Sequence, residues 1–234
     1  MKNDCLFVLK RIAVFVLIAS SLGISGCATT NPSLYSVHMR YDVTQALIPE
    51  YLKADENARN ALIVVAEFTD TRQVDDKKII GRVRERDDSK VPIFPKDVMP
   101  TQAVADGIKE YLQKAGYKVA DKIVQWDLKE ASIPNENGKV IIGGSIEKVQ
   151  IICWTGAFSN SYKTSVNLTI VIADSAKRKI LYKSKVESSS SRDDVSFSEE
   201  EIGGQLSAAL GDAIKKVFED EALAQKIKEA TTQK

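Results

Sequence analysis

Ala61-Leu62-Ile63-Val64-Val65-Ala66-Glu67-Phe68 is the stretch whose reading decides the fold. It is a strand-length apolar run, rich in β-branched residues, broken only by Glu67. It shows neither helical spacing nor clean alternation, the pattern of a strand buried on both faces in the middle of a sheet. The run ends in Thr69-Asp70-Thr71-Arg72, and a charged, proline-punctuated connection follows from about residue 73 to 100. Such long connections inside a domain are commonly functional, and a strand clamped on both faces holds the root of its loop rigidly. The sequence therefore predicts an irregular partner-binding loop with Asp70 and Arg72 at its root. Val91, Ile93 and Phe94, lying between prolines, are its expected apolar anchor. The alternative is that Asp70 and Arg72 pair with each other or cap a turn, and that the loop is a disordered insertion. The aspartate pairs Asp75-Asp76 and Asp87-Asp88 lack the glycine and the spaced oxygen ligands of a calcium loop, so they read as solvated charge and no metal is expected.

Downstream, Val104, Ile108, Leu112 and Ala115 recur at helical spacing from Thr101, with Gly116 placed to end the helix. Tyr117 to Ala120 reads as a short strand, and the segment around Trp126 and Leu128 as a brief strand or turn. Three long strands are predicted next, over 140–154, 162–173 and 179–189, the last two forming an antiparallel hairpin. The paired Gly143-Gly144 signals a bulge or a close backbone approach. Ser188 to Ser191 is a polar strand end or loop, with no resemblance to a hydrolase nucleophile elbow. Ser198-Glu199-Glu200-Glu201 is a capping box. It opens a helix whose stripe Ile202, Leu206, Ala209, Leu210, Ala213, Ile214, Val217 and Phe218 faces a core, ending near Ala224. Upstream, Tyr35 to Val43 alternates apolar and polar residues, a half-buried strand with His38, the only histidine, on its polar, solvated side. Pro49 to Asn60 reads as a short helix or loop.

The N-terminus carries a different signal. Lys2, Lys10 and Arg11 precede an uncharged apolar run from Ile12 to Leu22, too short for the about 20 residues that span a bilayer but suited to a leader. Leu22-Gly23-Ile24-Ser25-Gly26-Cys27 then resembles a bacterial lipobox. That resemblance implies cleavage before Cys27, acylation of Cys27 and a membrane partner. With Ala28 rather than aspartate next, it also implies sorting to the outer membrane, facing the periplasm. The expected organisation is a signal peptide at 1–26, a lipidated tether at 27–33, a single α+β domain at 34–228 and a frayed tail at 229–234. Its architecture is a mixed or antiparallel sheet with two main helices on one face.

Losing the leader takes the net charge from +1 to −1, a balance that argues against a nucleic-acid partner. Of the three cysteines, Cys5 leaves with the leader and Cys27 takes lipid. Cys153, beside Trp154 at the end of an apolar strand, is left as a buried small hydrophobe, with no disulfide and no zinc cluster.

Four segments also carry a family resemblance: Phe68-Thr69-Asp70-Thr71-Arg72, Ile80-Gly81, Leu112-Gln113-Lys114-Ala115-Gly116-Tyr117 and Gly144-Ser145-Ile146. With the lipobox and the order of elements, residues 61–220 resemble the YajG-like family of small bacterial lipoproteins. Their fold is similar to the N-terminal domain of TolB and to the lipoprotein activators of penicillin-binding proteins. The resemblance implies a protein without cofactor or catalytic role that acts by binding. The expected function is therefore a membrane-anchored binding or assembly module for an envelope protein or the cell wall. An auxiliary lipoprotein of an envelope transport system is the alternative. A hydrolase fits less well, because no nucleophile motif is present.

Overall fold

The Ala61–Phe68 run forms a strand with separate partners on its two faces. The computed structural model describes residues 34–134 and 138–232. The leader, Cys27 and the tether 27–33 lie outside the described residues. Strand β1 spans Tyr35–Val37, β2 Leu62–Val65 and β3 Thr69–Asp70. In and after β2, Ile63, Val65 and Phe68 enter the main core, while Val64 and Ala66 enter a second, smaller one on the opposite face. Burial on both faces is why the run is continuously apolar.

The sheet is built along one long strand, β7, which spans Val140–Thr155. On one edge β7 receives three short parallel strands in succession. Ile63–Val65 of β2 lie opposite Val140–Ile142, and β3 lies opposite Ser145 and Ile146. The chain then leaves the edge and returns as β4 (Gly81–Arg84) opposite Ile151–Trp154. On its other edge β7 pairs antiparallel with β8 (Asn160–Asp174) along its length, and β8 pairs antiparallel with β9 (Lys179–Asp194). The register of β7 on β8 slips at Glu147, between Ile146 and Lys148. The glycine pair lies just before this bulge and serves close approach instead. A Cβ on Gly144 would stand 2.1 Å from the Thr169 carbonyl oxygen and 2.5 Å from the Phe68 ring.

The expectation of an irregular loop from 73 to 100 is corrected by the structure. Residues 81–95 of that stretch are a hairpin of β4 and β5 (Lys90–Pro95), and β5 pairs in parallel with β1. The aspartate pairs shape turns: Asp76 accepts the Lys78 N–H at 2.8 Å and Asp87 that of Ser89 at 3.0 Å. The strand at Tyr35 is shorter than its alternation suggests. Burial still alternates through Met39, but the chain leaves the sheet after Val37 and turns into a 3-10 turn at Val43–Gln45.

A short β6 (Lys118–Val119) flanks β2, completing nine strands among the described residues in a mixed, open sheet. Helix α1 (Pro100–Lys114) has proline in its first turn, where no N–H is needed, and ends before Gly116, whose φ of +92° suits a left-handed cap. Helix α2 (Glu199–Glu219) is capped by Ser198 Oγ, which accepts the Glu201 N–H at 3.1 Å. Every residue of the predicted α2 stripe is buried. The two helices meet at a stack of Tyr111 on Phe218, ring centroids 4.8 Å apart. The closing helix does not run on unbroken to Ala224. At Asp220 it stops, and the carboxylate accepts N–H groups of Ala222 and Leu223 to start α3 (Glu221–Thr232). The expected frayed tail is likewise corrected, since Ala230 and Thr231 are buried in α3. No described helix is long and apolar enough to cross a membrane.

All three helices feed the main core on one face of the sheet. The opposite face is covered over its β2 half by the segment from Ala120 to Ile133, where Trp126 and Ile133 pack on Val64, Ile141 and Val171. The α+β architecture is thus as expected, with a third helix added.

Candidate functional site

Asp70 and Arg72 come together as an ion pair, Arg72 buried and Asp70 partly so. The Arg72 side chain is 3% exposed. Its Nε donates to both Asp70 carboxylate oxygens at 3.0 and 3.1 Å, and its Nη2 to one of them at 2.7 Å. The remaining N–H groups go to main-chain carbonyls: Ile79 at 3.1 Å, Val149 at 3.4 Å and Lys77 at 2.5 Å. These carbonyls border the stretch of β7 edge that lies between β3 and β4. The guanidinium thus takes the place of a strand there, and the two residues pair with each other as the alternative had it. Burial raises the Asp70 carboxyl pKa, but the hydrogen bonds and charge of Arg72, with Lys77 beside it, outweigh that and hold it below the usual carboxylate value.

Val91 and Ile93 are also corrected as anchors. Both point into the main core, because β5 alternates and its odd positions face the helices. Phe94 points the other way and is half-buried. His38 is exposed, with its Nδ1 2.9 Å from Asp97. Cys153 is buried, and burial pushes its thiol pKa up to about 12. Among the described residues no group of His, Cys, Asp and Glu is placed to hold a metal ion.

The register brings together a surface that single-strand reading did not assemble. Directly opposed residues share a face, so Arg82, Ile152, Lys163 and Ser191 form one row across the sheet. Arg84, Trp154, Ser161 and Asp193 form the next. Lys90 extends the second row and Pro92 the first. Gln150 and Lys148 continue the face along β7, and Phe94 borders it on β5. This is the face opposite the helices, beyond the reach of the Ala120–Ile133 cover. Ile152, Trp154, Pro92 and Phe94 are half-buried in its floor, while Arg82, Arg84, Lys90, Lys148 and Lys163 are exposed around them. The Arg84 guanidinium lies over the Trp154 ring, 5.7 Å from its centroid. None of the five cations forms a salt bridge among the described residues, whereas Lys185 nearby is 3.6 Å from Glu147.

A floor of aromatic and aliphatic groups bordered by five cations, with the acidic Glu187 and Asp193 confined to its β9 edge, can bind an anionic, extended ligand: the rings supply contact area and the cations orientation. The signal was present in the sequence as the residues out of phase with each apolar series. What it lacked was any sign of whether another element covers that phase.

Residues 49–228 match the model of a family described as "Uncharacterized lipoprotein". No curated protein matches the chain. Among solved structures the chain is similar to protein XCC0632 from Xanthomonas campestris, with a TM-score of 0.48 and 8% identity over 82% of this chain and 96% of that one. It is also similar to PelC of a dodecamer from Paraburkholderia phytofirmans, with a TM-score of 0.41 and 14% identity over 71% and 90%. Lipoprotein GNA1162 from Neisseria meningitidis follows, at 0.34 and 12% over 68% and 99%.

Proposed function

The chain belongs to the YajG-like lipoproteins, the family whose model spans residues 49–228, and from that premise we propose that it is a lipid-anchored, non-catalytic docking module of the cell envelope. In this reading Cys27 carries the lipid, Ala28 directs the protein to the outer membrane, and the domain faces the periplasm. The open sheet face receives an acidic, extended segment of an envelope protein.

The observation that carries the proposal is the set of five exposed cations around Trp154, unpaired among the described residues, in a mature chain whose net charge is −1. Clustering that much positive charge on one face leaves the rest of the surface acidic, so the face selects for anionic partners. Its size decides the kind of partner. Five strands about 4.8 Å apart and about six residues of strand length give a platform roughly 20 Å square. That is about half of the ~800 Å² a stable protein partner usually covers, so it fits a peptide-like segment better than a folded domain. Exposed ion pairs contribute about 0.2–1 kcal/mol each, so Trp154 and Ile152 act as the anchor and the cations steer.

The test is a photo-reactive residue at Ser165, on the platform, compared with one at Gln113 on α1, in intact cells. A discrete adduct from Ser165, absent from Gln113 and lost in folded Arg84→Glu/Lys163→Glu protein, is the expected result. Adducts from Gln113 alone, or full adduct yield from the double variant, would overturn the platform.

A further inference from the structure

The inference concerns the end of the molecule where the described chain begins, and it rests on the proposed lipid anchor at Cys27. Three chain reversals and the start of β1 are tied together at this end. Tyr35 Oη donates to Glu85 at 3.0 Å, and Thr155 Oγ1 donates to the other oxygen of the same carboxylate at 3.1 Å. The Arg86 guanidinium donates to the Gly156 carbonyl in the β7–β8 turn. The Tyr35 ring stands edge-on to Phe197 at 5.7 Å, and Tyr162 Oη donates to the Ser196 carbonyl at 2.6 Å. The β4–β5 tip, the β7–β8 turn and the link from β9 to α2 therefore form one end around Tyr35.

This end leaves large apolar side chains in water. Phe158, at the β7–β8 turn, is 94% exposed, Val195 81% and Leu34 48%. They amount to half of the large hydrophobic side chains exposed in the described structure. Their backbone is not loose: Asn160 Nδ2 donates to the Asp194 and Val195 carbonyls at 3.4 and 3.2 Å. A turn that displays phenylalanine at its tip from a braced strand pair has no contact to make within the fold. Arg192 is paired with Asp194 at 2.7 Å, and Arg86 stands against the exposed Asp87, Asp88 and Asp193, so this end carries no cluster of cations and its large apolar side chains are what it offers a partner.

We propose that this end is a membrane-contact surface, with Phe158 as its main insertion residue and a phospholipid bilayer as its occupant. Chain length supplies the second argument. From Cys27 to Leu34 the chain reaches about 25 Å when fully extended, and a flexible segment of that length averages only about 15 Å. The far end of β7 is about 50 Å away along the strand, so the anchor keeps the Phe158 end at the bilayer and the far end away from it. Phenylalanine, like leucine and tryptophan, can bury its side chain at the boundary between headgroups and acyl chains. Insertion there adds a second point of attachment to the lipid anchor and fixes which way the open sheet face looks.

The experiment uses the full lipidated protein in vesicles of phosphatidylethanolamine and phosphatidylglycerol. An environment-sensitive fluorophore is attached at Ser159→Cys or, for comparison, at Leu47→Cys on an exposed loop beside α2; buried Cys153 stays unlabelled. Lipids carrying a quencher on the acyl chain should quench the label at 159 at least threefold more than at 47. Phe158→Ser should remove that difference. Equal quenching at both sites on protein that floats with the vesicles overturns the contact surface while leaving the anchor intact. So does a difference that survives Phe158→Ser, or an Ser159→Cys label that is shielded only by a protein in cells. Protein that fails to float with vesicles overturns the anchor and, with it, this inference.

Discussion

Arg72 Nη1 reaches the Val149 carbonyl at 3.4 Å across a gap in the edge of β7, so a side chain completes a ladder that the backbone leaves open. The same guanidinium is neutralised by Asp70 two residues earlier. Removing it leaves the partly buried Asp70 carboxylate with Lys77 as its remaining cation and unpairs three carbonyls at once. Arg72→Met should therefore destabilise the domain by about 3–5 kcal/mol. Arg72→Lys should restore only part of this, because an ammonium cannot reproduce the forked geometry. Urea unfolding midpoints of the two variants check the ranking, and equal stability of Met and wild type would remove the role assigned to Arg72.

The same pair sets an acid sensitivity. The folded-state pKa of Asp70 lies below its ordinary value, so its ionised form contributes stability at neutral pH. That contribution is complete above the unfolded value of about 3.9 and is lost as pH falls through the lower, folded value. Asp70→Asn should accordingly be much less stable than wild type at pH 7, with the gap narrowing below about pH 4. Denaturation series at pH 7 and pH 3 decide this. An undiminished gap at pH 3 would mean that shape, not charge, is what asparagine lacks.

Two glycines give opposite expectations for the same added methyl. At Gly144 a Cβ meets the Thr169 carbonyl oxygen at 2.1 Å and the Phe68 ring at 2.5 Å, so Gly144→Ala must push β7 off β8 or displace Phe68. Overpacking of this kind costs about 1–3 kcal/mol. Gly204 is exposed in α2 with nothing within 4 Å of its Cβ position. Gly204→Ala should raise stability by about 0.5–1 kcal/mol through helix propensity alone. Thermal melts of both variants test the pair of signs.

Cys153 should behave as an inert core residue. Its thiol lies behind Tyr162 on the main-core side of β7, and burial raises its pKa to about 12. Thiol reagents act on the thiolate, so at pH 8 the folded domain should resist alkylation at this position for hours. Guanidinium should expose it to stoichiometric labelling, as mass spectrometry would show. Rapid labelling of folded protein would place a fluctuating opening at this strand.

Much of this fold was legible because its elements repeat a period long enough to read. The run at 61–68, the strands at 140–154 and 162–173 and the stripe from Ile202 to Phe218 all fall where the sequence puts them. The β4–β5 hairpin was not legible. Gly81-Arg82-Val83-Arg84 offers one apolar residue, and Pro92 and Pro95 withhold the N–H groups that strands are expected to supply. The break at Asp220 was hidden too, since no glycine or proline marks it and apolar residues resume at Leu223 and Ala224. Asp70 and Arg72 could be seen to pair, but the carbonyls of Ile79 and Val149 that give Arg72 its task come from distant parts of the chain. The platform was invisible for a related reason: alternation tells which side chains share a face, not whether the face is covered.

The dependence of β2, β3 and β4 on one later strand has a consequence for how the chain is made. Each lies parallel to β7, so none can reach its place on that edge until residues 140–155 have left the ribosome or the export channel. Roughly half of the domain must emerge with Leu62–Val65 lacking its principal neighbour. The β7–β8–β9 meander, in contrast, closes through short turns as soon as it appears. The last-synthesised half is then the template and the first-synthesised half the late arrival. A nascent chain of this protein thus passes through a stage in which an exposed apolar β-segment waits for its partner, the stage at which an escorting chaperone has the most to hold.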